Sequence, residues 1–310
     1  MNYICYETCG GGLANRVIEH CQVKIFSDLL EKDLFRQEIP RNRFFKDSKY
    51  RELGDIYEND FFYSDKKANF SLRGGSWALS YRIKLLRDLK IQISKEDYKL
   101  AFLKNVQNLI FKKEIRDKAN ELILKKNIKL ESTMGVHIRT EDYSRVGVNA
   151  ENNEKIRKYI GGNPTIDHMC QRLFGTARVI ETLEEKKVLY KRYLEYIINS
   201  IRTSLSRKKI SKIYLAGNDL CPIWPILPLV KENLSKDFDV VTNDEVEYLR
   251  DSVDWLIDFK ILSDCAYFAG SNSQSTWSHL VSWTAGKELI KIFDYSKGVP
   301  NFEYKVDQIR

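Results

Sequence analysis

Long apolar runs are missing from this chain: none reaches the about 18 residues that a membrane-spanning helix requires. The opening Met1-Asn2-Tyr3-Ile4-Cys5-Tyr6-Glu7 lacks the basic, then apolar, then small-residue order of a secretory signal. Cysteine is scarce. Its six residues (Cys5, Cys9, Cys21, Cys170, Cys221 and Cys265) are dispersed and include no Cys-x-x-Cys pair, which argues for reduced structural thiols over disulfides. Histidine is scarcer still. The four residues (His20, His137, His168 and His279) are too few and too scattered for a histidine-rich metal centre, and no metal site is expected. The chain has neither a Walker loop nor a good Gly-x-Gly-x-x-Gly turn, and no internal repeat or low-complexity segment. A cytoplasmic protein is the expectation.

What is present fits a globular enzyme-sized chain. Hydrophobic residues make up 43% and charged residues 30%, the balance of a soluble fold, and 310 residues favour two domains over one. The formal charge of +8 raises nucleic acid as a partner. Yet basic residues are mixed with acids, as in Arg87-Asp88-Leu89-Lys90, and no basic-aromatic pattern of a single-strand binder occurs. Nucleic acid is therefore not expected. A nucleotide-sugar anion, or peripheral contact with an anionic membrane surface, accounts for the charge equally well.

The chain opens as strand, glycine turn, helix. Tyr3 to Glu7 alternates as a short strand, Gly10-Gly11-Gly12 follows, and Ala14 to Glu31 carries apolar residues at helical spacing. Residues 33 to 80 read as irregular, and Val106 to Lys126 as one helix. From Thr133 the pattern alternates strictly. Strands are expected at Thr133–Arg139, Lys212–Ala216, Asp239–Thr242, Ala266–Ala269 and Leu289–Phe293, separated by helices. Such alternation predicts an α/β fold with a parallel sheet. A long polar connection, about Ser144 to Lys186, reads as a functional loop or lid.

In open α/β sheets, ligands sit outside the carboxyl ends of the strands, so those ends are where chemistry is sought. Gly10-Gly11-Gly12-Leu13-Ala14-Asn15-Arg16 joins a strand to a helix. Its glycines let backbone approach an anion, and Asn15 and Arg16 add donors; a plain tight turn is the alternative. His137-Ile138-Arg139-Thr140-Glu141-Asp142-Tyr143 ends the strand that begins the second half. Arg139 is a planar, permanently charged fork suited to phosphate, and His137 shares its side of the strand; a surface salt bridge is the alternative. Asn218 and Asp219 close the next strand. Last, Asp258 to Asp264 precedes a short strand and then Ser271-Asn272-Ser273-Gln274-Ser275-Thr276-Trp277. That run holds more hydroxyls and amides than a helix cap needs.

These elements, in this order, resemble the GDP-fucose-dependent fucosyltransferases of the α1,2, α1,6 and protein O-fucosyl group. The Gly-rich turn ending in Asn15, the His-x-Arg strand, the Asn218-Asp219 strand end and the Asp258–Phe268 stretch with its Ser-rich helix start carry the resemblance. It implies a GT-B-like fold of two Rossmann-like domains facing a cleft. Residues 1–130 would form the acceptor side, with the Gly-rich loop, and residues 131–310 the nucleotide-sugar side. It also implies inverting, metal-independent transfer, with a GDP-sugar as co-substrate and no resident cofactor. Arg139 would grip the donor β-phosphate, supported by His137, and Glu141 or Asp142 would be candidate catalytic bases. Gly11, Gly12, Asn15 and Arg16 would meet the donor from the other domain. Asp258 or Asp264 would bind the guanine edge, Ser273, Ser275 and Thr276 the phosphate oxygens, and Asn218 and Asp219 would line the donor. The acceptor would be a glycan or lipid-linked glycan in surface polysaccharide or glycoconjugate synthesis.

Two positions depart from that pattern: Thr140 stands where many relatives have a second arginine, and Ala14 replaces a glycine. Another nucleotide sugar, or a non-catalytic sugar- or nucleotide-binding role, therefore remains open.

Overall fold

The computed structural model describes residues 3–7, 13–37, 52–64, 70–71, 90–138, 183–206, 208–217, 226–243, 254–271 and 276–293. The chain divides into two compact units. The first comprises Met1–Glu121, Leu249–Lys260 and His279–Glu288; the second comprises Leu122–Tyr248, Ile261–Ser278 and Leu289–Arg310.

The first unit holds strands β1 (Tyr3–Glu7), β2 (Asp33–Gln37), β3 (Tyr63–Ser64) and β4 (Phe70–Ser71) in a parallel sheet ordered β3-β2-β1-β4. Helix α1 (Leu13–Leu29) follows β1, and a single-turn helix α2 (Leu53–Ile56) precedes β3. Helix α1 is buried around most of its circumference, as expected of a helix packed on both sides. On one of those sides lies α3 (Lys95–Gln107), capped by the Ser94 hydroxyl accepting from the Asp97 amide at 3.0 Å. The Phe26 and Tyr98 rings meet edge-on at 6.5 Å, and Asn105 Nδ2 donates to the Cys21 carbonyl at 3.1 Å.

Two local expectations fail in this unit. Part of 33–80 is regular, since β2 to β4 lie within it. The helix expected over Val106–Lys126 is two helices: α3 ends at Gln107 and α4 spans Lys113–Lys125. Between them the chain pairs with the end of α2 and the residues after it. The Glu58 amide donates to Ile110 O at 2.7 Å, the Lys112 amide to Ile56 O at 2.8 Å, and Tyr57 bridges Phe111. Phe111 is buried, with its ring 4.9 Å from Tyr57 and 5.4 Å from Phe259. Burying that aromatic cluster outweighs the helical preference of the intervening residues, as tertiary context routinely does.

The second unit holds β5 (Thr133–Ile138), β6 (Lys212–Gly217), β7 (Asp239–Val241), β8 (Tyr267–Ser271) and β9 (Leu289–Phe293). All pairings are parallel, in the order β7-β6-β5-β8-β9. Helices α5 (Leu183–Leu205), α6 (Ile226–Leu234), α7 (Asp254–Asp264) and α8 (Thr276–Ala285) connect them. Side-chain alternation divides β5 between two faces. Met134, Val136 and Ile138 join Ile213, Leu215 and Ala269 in an apolar core closed by Ile197 and Ile201 of α5 and Val230 and Leu234 of α6. Gly135 and His137 face the other way. A Cβ on Gly135 would lie 3.0 Å from Leu262 Cδ2 and 3.3 Å from its Cα, so glycine lets α7 lie close to the sheet there.

Counted from each sheet's own first strand, both sheets begin third-second-first-fourth. The order reverses beside β1 in one and beside β5 in the other. These are the topological switch points at which doubly wound folds hold ligands, outside the carboxyl ends of the strands.

Candidate functional site

At the switch point of the second sheet, His137 lies one residue before the end of β5 and opposite Gly270 of β8. Its Nδ1 is 2.9 Å from the hydroxyl oxygen of Ser278, in the first turn of α8, and Ser278 is fully buried. The Trp277 ring lies 6.4 Å from the imidazole centroid to centroid. Glycine 270 makes this approach feasible. A Cβ there would stand 2.7 Å from Ser278 Oγ and 2.8 Å from Ser278 Cβ, closer than atoms can come. Next door, a Cβ on Gly217 would stand 2.3 Å from the Ile138 carbonyl oxygen. Small residues at the ends of β6 and β8 thus hold the end of β5 tightly on both sides. Thr276 opens α8 half-buried, two residues before Ser278.

Asp258 and Asp264 both belong to α7. Asp258 is buried, whereas Asp264 is the last residue of the helix. Just beyond it the Ala266 amide donates to Leu130 O at 2.7 Å, ahead of the amino end of β5. Asp264 therefore sits at the edge of the sheet opposite His137, and Asp258 lies six residues, about 9 Å of helix, further back. The two candidates for one role do not converge.

At the switch point of the first sheet, α1 starts at Leu13 with Asn15 and Arg16 in its first turn. Asn15 Oδ1 is buried and finds no hydrogen-bond partner among the described residues. Arg16 is buried, and Glu19 and His20 lie on its face of the helix at three- and four-residue spacing. His20 Nδ1 is 2.9 Å from the Tyr6 hydroxyl, and the ring lies 4.7 Å from Phe61. Burial first, then the nearby Arg36 and Lys24 charges, lower its pKa to about 3, so this histidine is neutral at physiological pH. Burial likewise pushes the Cys21 thiol and the Tyr57 hydroxyl above their usual ranges, which leaves both un-ionised. Cys5, Cys21 and Cys265 are buried and form no disulfide. Among the described residues, no three His, Cys, Asp or Glu side chains group as a metal site, and no helix is long and apolar enough to cross a membrane.

Gly11, Gly12, Arg139, Glu141, Asp142, Asn218, Asp219, Ser273 and Ser275 lie outside the described residues, as does the connection 144–182. What the sequence reading missed is the Ser278–Gly270 pair. The only signal for it was one more serine beyond the run ending at Trp277, and the hydrogen-bond partner of that serine, His137, is 141 residues away in sequence.

No protein-family model matches the chain, and no curated protein matches it. Solved structures do. The α1,6-fucosyltransferase NodZ, soaked with GDP-fucose, matches at 13% identity and a TM-score of 0.54, over 92% of this chain and 93% of that one. The fucosyltransferase NodZ from Bradyrhizobium, as its selenomethionine form, matches at 12% identity and a TM-score of 0.51, over 91% and 92%. At such identities the likeness is one of fold. The chain is α/β and GT-B-like, with the fold of the fucosyltransferase NodZ, as the resemblance in its sequence implied.

Proposed function

We propose that this protein is a fucosyltransferase-like glycosyltransferase that transfers L-fucose from GDP-fucose to a glycan hydroxyl, with inversion and without a metal ion. The observation that carries the reading is the second switch point. There the strand running into Arg139 is tied by His137 to the helix that follows the serine-rich run. The fold shared with NodZ, whose structure was determined after soaking with GDP-fucose, supports the same reading.

In this mechanism the acceptor oxygen attacks the anomeric carbon from the face opposite the leaving group. The bond from that carbon to the β-phosphate oxygen breaks, and its electron pair leaves with GDP. Arg139 stabilises the charge developing on that oxygen, the task a preorganised guanidinium performs best. Ser273, Ser275, Thr276 and the Gly11–Gly12 amides hold the diphosphate. Asn218 and Asp219 line the donor, and Asn15, whose buried oxygen finds no partner among the described residues, accepts a hydrogen bond from it. Asp258 takes the guanine edge in preference to Asp264, which stands at the far end of α7. Glu141 or Asp142 receives the acceptor proton. Residues 1–130 supply the acceptor side and 131–310 the donor side. The enzyme works in the cytoplasm on a soluble or lipid-linked glycan, at or near the membrane surface.

The test is a donor panel. Release of nucleotide from GDP-, UDP- and ADP-sugars is measured with and without EDTA. Turnover of GDP-fucose above the others, undiminished by chelation, is expected. Preference for a UDP- or ADP-sugar would contradict the donor assignment, and EDTA-sensitive turnover the metal-free mechanism.

A further inference from the structure

We infer that Ser278 and Gly270 are positioning residues that set the spacing between the two phosphate-binding segments of the proposed site. This inference rests on the donor reading above. One segment leaves β5 directly after Ile138. The other, residues 272–275, joins the end of β8 to the start of α8. Three described residues lock the points from which both depart. His137 stands opposite Gly270 in the strand ladder, and at Gly270 the first turn of α8 lies so close to β8 that there is no room for a side chain. The space is taken by Ser278, fully buried, whose hydroxyl reaches across to His137 Nδ1 at 2.9 Å. A buried hydroxyl requires a partner, and this one has a partner on β5, the strand that leads toward Arg139 in sequence. The bond therefore fixes the start of α8 against the end of β5. It also holds the imidazole by Nδ1, which sets the orientation of the ring.

A diphosphate spans both segments, whereas a bare nucleoside does not. Loss of the clamp is thus expected to weaken GDP selectively. The experiment is calorimetric titration of the full chain with GDP and with guanosine, in wild type, Ser278→Ala, His137→Ala and the double variant. Ser278→Ala is expected to bind GDP about tenfold more weakly, the scale of one lost buried hydrogen bond, with guanosine affinity unchanged. The double variant is expected to be no worse than the worse single one, because both act through one bond. His137→Asn, which keeps a short polar group facing Ser278, is expected to retain more of the GDP preference than His137→Ala.

Equal loss of GDP and guanosine would mean a general structural role and overturn the inference. So would additive losses in the double variant, or unchanged GDP binding in Ser278→Ala. If wild type bound neither GDP nor guanosine, the donor reading itself would fail. If wild type bound GDP no better than guanosine, the phosphate sites would fail, and the positioning role with them. Should Ser278→Ala prove unstable, Ser278→Cys, which keeps a side chain of similar shape and weakens the bond, carries the same comparison.

Discussion

The two units begin with the same strand order but secure it by different means. In the second, the face of β5 carrying Met134, Val136 and Ile138 packs on apolar residues of α5 and α6, and the polar His137–Ser278 contact lies near the strand end. In the first, polar groups are buried within the unit. Arg16, Glu19, His20 and Gln22 are buried on α1, and Arg36 of β2 is buried and paired with Glu52. Its outer strands β3 and β4 are only two residues long. An apolar core tolerates small local change and leaves the strand ends for a ligand. A polar core is specified by a few named bonds, and each is costly to leave unmade.

Four changes would break or sharpen this contrast. The largest effect is expected from Arg139→Ala, which should lower turnover on the best donor at least about a hundredfold while leaving the melting temperature near that of wild type. Retained turnover would remove Arg139 from its role. Next, Leu215→Ala in the apolar core should cost about 2–5 kcal/mol in urea denaturation. A smaller loss would mean that the second core is looser than its burial indicates.

Tyr6→Phe in the polar core should cost about 1–3 kcal/mol, although it removes only one oxygen, because it leaves His20 Nδ1 buried without its partner. A loss well under 1 kcal/mol would weaken the contrast between the units. The last effect is one of pH. His20 has a pKa of about 3 in the folded chain against 6.5 when exposed. Between those values the unfolded chain takes up the proton and the folded one does not. The contribution of His20 is therefore complete above pH 6.5 and lost as pH falls toward 3, with a slope of up to about 1.4 kcal/mol per pH unit. His20→Gln should remove that slope from denaturation curves measured between pH 7 and 4.5. An unchanged slope would show that His20 takes up its proton in the folded state.

The same contrast explains what was legible in the sequence. Every strand of the second sheet was expected within a few residues of where it lies, because each is a short run rich in apolar residues bounded by polar turns. In the first unit β1 and α1 were read, and α4 only as part of one longer helix. Strand β2 reads Asp-Leu-Phe-Arg-Gln, and its Arg36 is tolerable inside only because Glu52, 16 residues away, pairs with it. Likewise, the break between α3 and α4 depends on Phe111 meeting Tyr57 and Phe259, which no local window contains. At the site, His137 was singled out from its strand position, but Ser278 and Gly270 were not. Their meaning lies in a contact between distant parts of the chain.

The central claim is that the second switch point holds a nucleoside diphosphate. Backbone hydrogen exchange of the full chain with and without GDP tests it most directly. Slowed exchange in peptides covering residues 133–143 and 270–280, with β7 and the α7–β8 junction unchanged, is the predicted result. Saturating GDP with no protection in either peptide, or protection confined to the amino edge around Leu130 and Ala266, would contradict it.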